Sequence, residues 1–456
     1  MKKNIFVWIL LLSFFQLVQA QLSPAITAWL QNTSQDGSYY TKGNSTAITN
    51  NILANCQKVE YSTDFVYIST KGVPSYPTGP FMDRNPSNAE DQDAIFKFPL
   101  SPSENKGTPI TTTGGNIGVF INGVALFDYR DGVSWNPATN ALCGGPGNTP
   151  CPGGRGAIMD WNRDAIPAEM EGFDCSKGHP AMGNYHHHQN PSAFKLDKNV
   201  VSTICNLYDA DGLYTIDSTK HSPLIGFAYD GFPIYGAYGY KAINGSGVIT
   251  RMKSGYSLRN ITKRTEYGDG TDVDDGPDIS STYFLGYFRE DYSFNANAAT
   301  DYLDEHNGRF CKTPEYPNGT YAYFCTVDEN WNSAYPYAVG PTFYGVSERR
   351  TVNSVTETTQ VYTSTNGTSK INVNDLGIAV HPNPSSDLIA VQVAGLNKET
   401  LQVELYDITG KLIQTSTINP GQTIGYFDVQ TLYAGTYMVK ISNNYTSNTQ
   451  KVLIKR

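Results

Sequence analysis

The stretch Ile117-Gly-Val-Phe-Ile-Asn-Gly-Val-Ala-Leu-Phe127 sets an Asn-Gly pair between two apolar arms. Asn and Gly accept the backbone dihedrals of a tight turn, and each arm has apolar residues to bury, so the stretch reads as a β-hairpin. Similar runs recur on either side. Asp64 to Thr70, Leu224 to Tyr229 and Thr320 to Val327 are each bounded by Gly, Pro, Asn or Asp, which is the punctuation of short strands. Convincing amphipathic helices are few; Asn162 to Glu171 reads as a short one. Residues 21–345 therefore read as one all-β, loop-rich domain.

Composition agrees. Tyr, Gly, Asn, Thr and Ser are heavily used and Lys and Glu are sparse, the usage of a β-rich exported protein. The net charge of -9 lacks the basic footprint that nucleic acid requires. At the amino end, Lys2 and Lys3 precede an uncharged apolar run from Ile5 to Leu17, and Val18-Gln19-Ala20 offers a small-residue cleavage site. Residues 1–20 read as a secretory signal peptide. No later apolar run is long enough to span a bilayer, so a membrane span is not expected.

Seven cysteines in an exported chain point to disulfides. Cys143 and Cys151 flank a Gly/Pro-rich loop that a bridge can staple. Cys311 and Cys325 flank Pro317-Asn318-Gly319, a turn signal that allows a bridge between the two arms of a hairpin. Cys175 and His179 have a spacing that can suit zinc, but in an oxidising compartment a bridge is the better reading for Cys175, with Cys205 one candidate partner; connectivity does not follow from sequence. The odd count leaves a free thiol, an intermolecular bond or a metal ligand.

The chemistry gathers at Gly183-Asn-Tyr-His-His-His-Gln189, where three of the seven histidines stand side by side. On a strand, His186 and His188 project to one face, roughly 6.5–7 Å apart at the backbone. Tyr185 and His187 project to the other. Two imidazoles on one face can converge on a metal ion, and copper or zinc suits them. His179, in a Gly-His-Pro turn, and His221, before Ser-Pro, are candidates for a third ligand. Tyr185 and Asp230 are candidates for supporting roles, with Asp230 accepting the second ring N–H of a ligand histidine or else capping its own turn. Asp304, Glu305 and His306 form a further polar cluster without a clear chemistry. The acidic stretch from Asp269 to Asp278 offers oxygen ligands of the kind calcium takes. Its spacing breaks the twelve-residue calcium-loop rule and Pro277 intrudes, so a solvated loop is the better reading.

From Ser347 to Asn374 the chain turns to Ser, Thr, Asn and Val and loses its aromatics, so residues 346–375 read as an extended linker. Residues 376–456 become compact again. They contain Ala379-Val-His-Pro-Asn-Pro-Ser385, Val403-Glu-Leu-Tyr-Asp-Ile-Thr-Gly-Lys411, Asp428-Val-Gln-Thr-Leu-Tyr-Ala-Gly-Thr-Tyr-Met-Val-Lys440 and the basic end Thr449 to Arg456. Alternation over Gln402–Tyr406 and Thr436–Ile441 with a turn at Thr409-Gly410 describes a small antiparallel β-sandwich. The motifs, in this order, resemble the type A C-terminal sorting domain of the type IX secretion system, with His381 where Tyr or Phe is usual. The resemblance implies a Bacteroidota-type organism, the secretion machinery as partner, and delivery to the cell surface or the medium.

The central domain has a resemblance of its own. Cys175 to His188 is followed by His221-Ser-Pro-Leu-Ile-Gly-Phe-Ala-Tyr-Asp230-Gly-Phe-Pro-Ile-Tyr235, then Leu303 to Arg309, Thr313 to Phe324 and Tyr335 to Gly345. Over roughly residues 90–345 this is similar to the YHYH domain family, with His187 at the position where the family usually has its second Tyr. The resemblance names a domain, not an activity. Familiar catalytic motifs are absent: there is no Gly-x-Ser-x-Gly elbow, His-Glu-x-x-His pair or phosphate-cradling loop. Two functions remain. One is an exported metal-binding protein built on His186 and His188. The other is a non-catalytic module that binds a glycan or a partner through its aromatics, with the histidines structural.

Overall fold

The computed structural model describes residues 22–82, 87–154, 159–197, 205, 212–347, 351–363, 377–394, 400–419, 422–443 and 447–456. The expected signal peptide lies outside them. The chain divides into two compact units, Met1–Ser364 and Thr365–Arg456. Among the described residues, no helix is long and apolar enough to cross a membrane.

Among the described residues, the first unit has five smaller sheets of two or three strands around two main ones. In the larger, eight strands run in the order Gly178–Ala181, Asn184–His187, Ala125–Phe127, Asn116–Phe120, Leu224–Ala228, Pro233–Tyr235, Thr320–Phe324 and Gly308–Cys311. The Asn122-Gly123 hairpin supplies two of its middle strands; the Phe120 amide donates to the Val124 carbonyl and Gly123 takes φ +79°. The second sheet is antiparallel: Thr351–Val352, Ala94–Pro99, Phe65–Thr70, Cys56–Tyr61 and Gln360–Tyr362. Alternate residues of both sheets meet in one core, where Val59, Val66, Ile68 and Phe98 pack with Val119, Phe227 and Phe324. The opposite face of the eight-stranded sheet is covered by loops that bring Tyr214, Phe232 and Phe343 onto Phe120, Ile225 and Tyr323. Being buried on both faces explains why its middle strands, such as Leu224–Ala228 and Pro233–Tyr235, are continuously apolar or aromatic.

Three sequence expectations change. Residues 346–375 are not a plain linker. Thr351–Val352 and Gln360–Tyr362 hydrogen-bond to opposite edges of the five-stranded sheet, and the Gln31 side chain donates to the Tyr362 carbonyl at 2.8 Å. Strands of two or three residues are too short to show a period, so composition hid them. The segment Asn162–Glu171 holds a short strand, Asn162–Asp164, before its helix Ala165–Glu169, which Asp164 caps. Cys311 and Cys325 are not bridged. Cys311 stands opposite Thr320 in the ladder, so Cys325 lies a strand length away, roughly 16 Å, beyond the ~7 Å that a disulfide tolerates between Cα atoms. Cys143–Cys151 and Cys175–Cys205 are joined, and Cys56, Cys311 and Cys325 are free and buried.

The second unit packs a three-stranded antiparallel sheet (Gly377–His381, Leu388–Ala394, Ile424–Asp428) and a four-stranded one (Leu412–Ile418, Leu401–Asp407, Gly435–Ser442, Ser447–Ile454). Ile389, Val391, Val403, Leu405, Val439 and Ile441 fill its core. Its described strand pairings within each sheet are antiparallel and most join neighbours in sequence, and a parallel bridge joins Ser385 to Ile454.

A thiol reagent added to the native protein should label none of the cysteines, and after unfolding without reductant it should label three. Labelling of a single thiol in the unfolded chain would mean that Cys311 and Cys325 are joined after all.

Candidate metal centre

The histidine segment forms one edge of the eight-stranded sheet. Gly178–Ala181 and Asn184–His187 pair as a hairpin in which His179 stands directly opposite His186. The turn between them has positive φ at both central residues, Met182 and Gly183, as a two-residue turn matched to strand twist requires. A Cβ on Gly183 would lie 2.5 Å from a Glu90 carboxylate oxygen, so only glycine fits there. The approach to the hairpin is fixed by Asp174. Its carboxylate accepts from the amides of Ser176, Gly178 and Gly79 and from the Tyr185 hydroxyl. The Cys175–Cys205 disulfide lies beside it.

The pleat sorts the side chains. His187 turns to one face, where it donates from Nδ1 to the Lys177 carbonyl at 3.0 Å and accepts at Nε2 from the Tyr76 hydroxyl at 2.8 Å. Phe120 and Tyr185 pack on its ring. Both ring nitrogens are thus engaged. His186 and His188 turn to the other face, buried beneath Phe127, which stacks on His186 at 3.7 Å.

A carbonyl oxygen only accepts, and this fixes two tautomers. His186 Nδ1 lies 2.8 Å from the Asn184 carbonyl, and His188 Nδ1 lies 2.5 Å from the Asp128 carbonyl. Each must carry its proton on Nδ1, so each Nε2 of the neutral ring presents a lone pair. Those two atoms face each other at 3.0 Å. His179 brings its Nε2 to the same place, buried and with no hydrogen-bond partner among the described residues. The ligand atoms of His179, His186 and His188 all lie within 4.8 Å of one another. A carboxylate completes the ring: Glu169 Oε2 is 3.3 Å from His179 Nε2 and 3.4 Å from His188 Nε2.

The segment Asp128–Arg130 holds these parts in register. The Asp128 carbonyl accepts from His188 Nδ1, the Tyr129 carbonyl accepts from the Ala165 amide that starts the Glu169 helix, and Arg130 clamps the Asp128 carboxylate. Burial, reinforced by the neighbouring rings, pushes His179 down to about 3. Burial pushes His187 and His188 down to about 4 and His186 well below its ordinary value. The cluster is neutral near pH 7.

Other candidates lie elsewhere. His221 packs against Tyr235, Tyr240 and Phe324. Tyr235 is in a strand four places across the sheet from Asn184–His187, about 19 Å at ordinary strand spacing, so His221 does not join the three. Asp230 accepts from the Phe232 and Gly345 amides and the Tyr323 hydroxyl, which makes it a turn anchor and not a partner of a ligand histidine. Tyr185 faces His187 and Asp174, on the side away from the three imidazoles. Cys175 is taken by its disulfide. His306 packs on Tyr344 and meets Thr342. Among the described residues the acidic loop from Asp269 to Asp278 forms no such grouping of ligand atoms. Glu169 had no sequence signal, because nothing in its spacing ties it to the histidines.

The fold and the site define a class: an all-β protein whose first unit centres on an eight-stranded and a five-stranded sheet, with a buried imidazole cluster at one edge of the larger, and a separate small sandwich. A family model described as YHYH protein matches residues 95–336, and one described as secretion system C-terminal sorting domain matches residues 379–455. The chain belongs to the YHYH protein family and carries a type IX secretion sorting domain, which directs it to the cell surface or the extracellular space. No curated protein matches it.

The neutral burial of His187 carries a pH signature. Its unfolded-state value is near 6.5 and its folded value about 4, so below pH 6.5 the unfolded chain takes the proton first. The stability it contributes is complete above pH 6.5 and falls away toward pH 4, by up to about 3 kcal/mol. In chelator-treated protein, the stability advantage of wild type over His187→Gln should shrink between pH 7 and pH 4.5. A constant gap in parallel denaturant melts would show that the folded ring titrates normally.

Proposed function

We propose that the exported first unit binds one transition-metal ion, zinc or copper, through Nε2 of His179, His186 and His188, with the Glu169 carboxylate as fourth ligand. The observation that carries this is the convergence of lone pairs. His186 Nε2 and His188 Nε2 face each other at 3.0 Å with both ring protons committed elsewhere, and a carboxylate oxygen stands beside them. Such a grouping is repulsive unless positive charge sits inside it. A proton is a poor answer, because burial holds these rings neutral. A metal ion answers all four donors at once.

The spacing supports the same reading. A tetrahedral ion with bonds of about 2.0–2.1 Å sets its ligand atoms about 3.3 Å apart; His186–His188 at 3.0 Å and Glu169 to His179 and His188 at 3.3 and 3.4 Å are close to this, and the three imidazole nitrogens as a set lie within 4.8 Å of one another. Imidazole nitrogens favour zinc or copper over calcium or magnesium. The Asn184 and Asp128 carbonyls that orient the rings are the partners such ligands ordinarily have. Four protein ligands fill a tetrahedral shell, which suits a site that holds its metal more than one that turns over a substrate on it.

Native mass spectrometry of the full chain, stripped with chelator and supplied with zinc or copper, should show one ion bound. His186→Ala/His188→Ala should lose at least 100-fold in affinity and Glu169→Gln at least tenfold, while His187→Tyr stays within a few-fold of wild type. Equal uptake by wild type and the double variant would refute the site. Deleting residues 365–456 should leave uptake unchanged and hold the protein in the periplasm of a host with the matching secretion system. Wild-type amounts of the truncated protein in the medium would contradict the role of the second unit.

A further inference from the structure

A cavity of about 520 Å³ opens on the first unit; its lining includes Tyr256, Tyr267, Tyr292, Phe294 and Tyr335 and none of the histidines. We propose that it is a binding site for a neutral carbohydrate, of the size of one or two sugar rings. The volume lies within the ordinary range for small-ligand pockets.

The ring geometry comes first. Tyr292 lies flat on buried Tyr335, with centroids 4.3 Å apart and planes 10° from parallel. Tyr256 meets both Tyr335 and Phe294 at steeper angles. Tyr256, Tyr267, Tyr292 and Phe294 are each only half-buried. The rings are held from behind: the Tyr256 hydroxyl donates to the Glu305 carbonyl at 2.8 Å, and the Tyr267 hydroxyl to Asp160 at 3.2 Å. Apolar faces fixed in this way match the C–H face of a pyranose ring at little cost in side-chain entropy.

The charged lining holds one guanidinium, Arg289, and two carboxylates, Glu290 and Asp269. Arg289 and Glu290 both line the cavity and pair with each other. Arg289 also donates to the Tyr129 hydroxyl, and Glu290 accepts from the Asn162 amide and side chain. The pair is rigid and carries no net charge. An organic cation, the usual guest of a tyrosine cage, would meet the Arg289 guanidinium. A phosphate or sulfate would meet Glu290 and Asp269, which also lines the cavity. A neutral polyol meets neither objection, because its hydroxyls both donate to a carboxylate and accept from a guanidinium.

The test uses the full-length protein and saturation-transfer NMR with cellobiose, xylobiose, maltose, mannobiose, galactobiose and chitobiose as probes. At least one should show transfer at millimolar concentration, weakened at least tenfold in Tyr292→Ala and in Tyr267→Ala. Those variants should keep the metal content and the melting behaviour of wild type, so failure here is separable from failure of the metal site. No transfer from any of the six disaccharides would overturn the proposal. So would equal binding by wild type and both variants, or transfer from choline in preference to every sugar.

Discussion

Imidazole nitrogens taken out of water need partners, and the edge of the eight-stranded sheet is arranged around that need. Strand alternation divides three consecutive histidines between two environments. His187 finds a hydroxyl and a carbonyl and is complete. His186 and His188 find carbonyls at Nδ1 only, and their Nε2 atoms are turned toward each other, toward His179 and toward Glu169. The same carbonyl bonds that make burial tolerable thus create the lone-pair cluster. Asp128–Arg130 is the common support, since it accepts from His188 Nδ1, starts the Glu169 helix and is pinned by its own ion pair. Tyr129, in the middle of this support, also takes the hydroxyl contact from Arg289 at the aromatic cavity, so the two candidate sites are founded on one short segment.

How much of this was legible followed from the distance over which each feature is decided. The Asn122-Gly123 hairpin and the opposed faces of His186 and His187 depend on neighbours in sequence, and the period-two pattern reports them directly. The stapled loop Cys143–Cys151 is local too. Features set by exact register or by distant strands left no trace. Cys311 and Cys325 flank a turn and look like partners, yet the ladder sets them a strand length apart. His221 has the same residue type as the cluster but sits across the sheet among aromatic rings. Glu169 is invisible because its role depends on where a five-residue helix ends in space. Thr351–Val352 and Gln360–Tyr362 resemble a linker because their structure is conferred wholly by the strands they join.

Those two short strands also bear on the order in which the protein can be assembled. They close both edges of a sheet whose inner strands lie between Cys56 and Pro99, and the contacts Tyr61–Gln360 and Gln31–Tyr362 link residues about three hundred positions apart. During synthesis, the inner strands emerge long before the segments that shield their unpaired backbone groups. Closing so large a loop is slow, and an open strand edge is a template for pairing with other chains. Export before folding, or a chaperone that occupies the edges meanwhile, would keep nascent copies from adding to one another. A chain ending where the family match ends, at residue 336, would carry that vulnerability permanently.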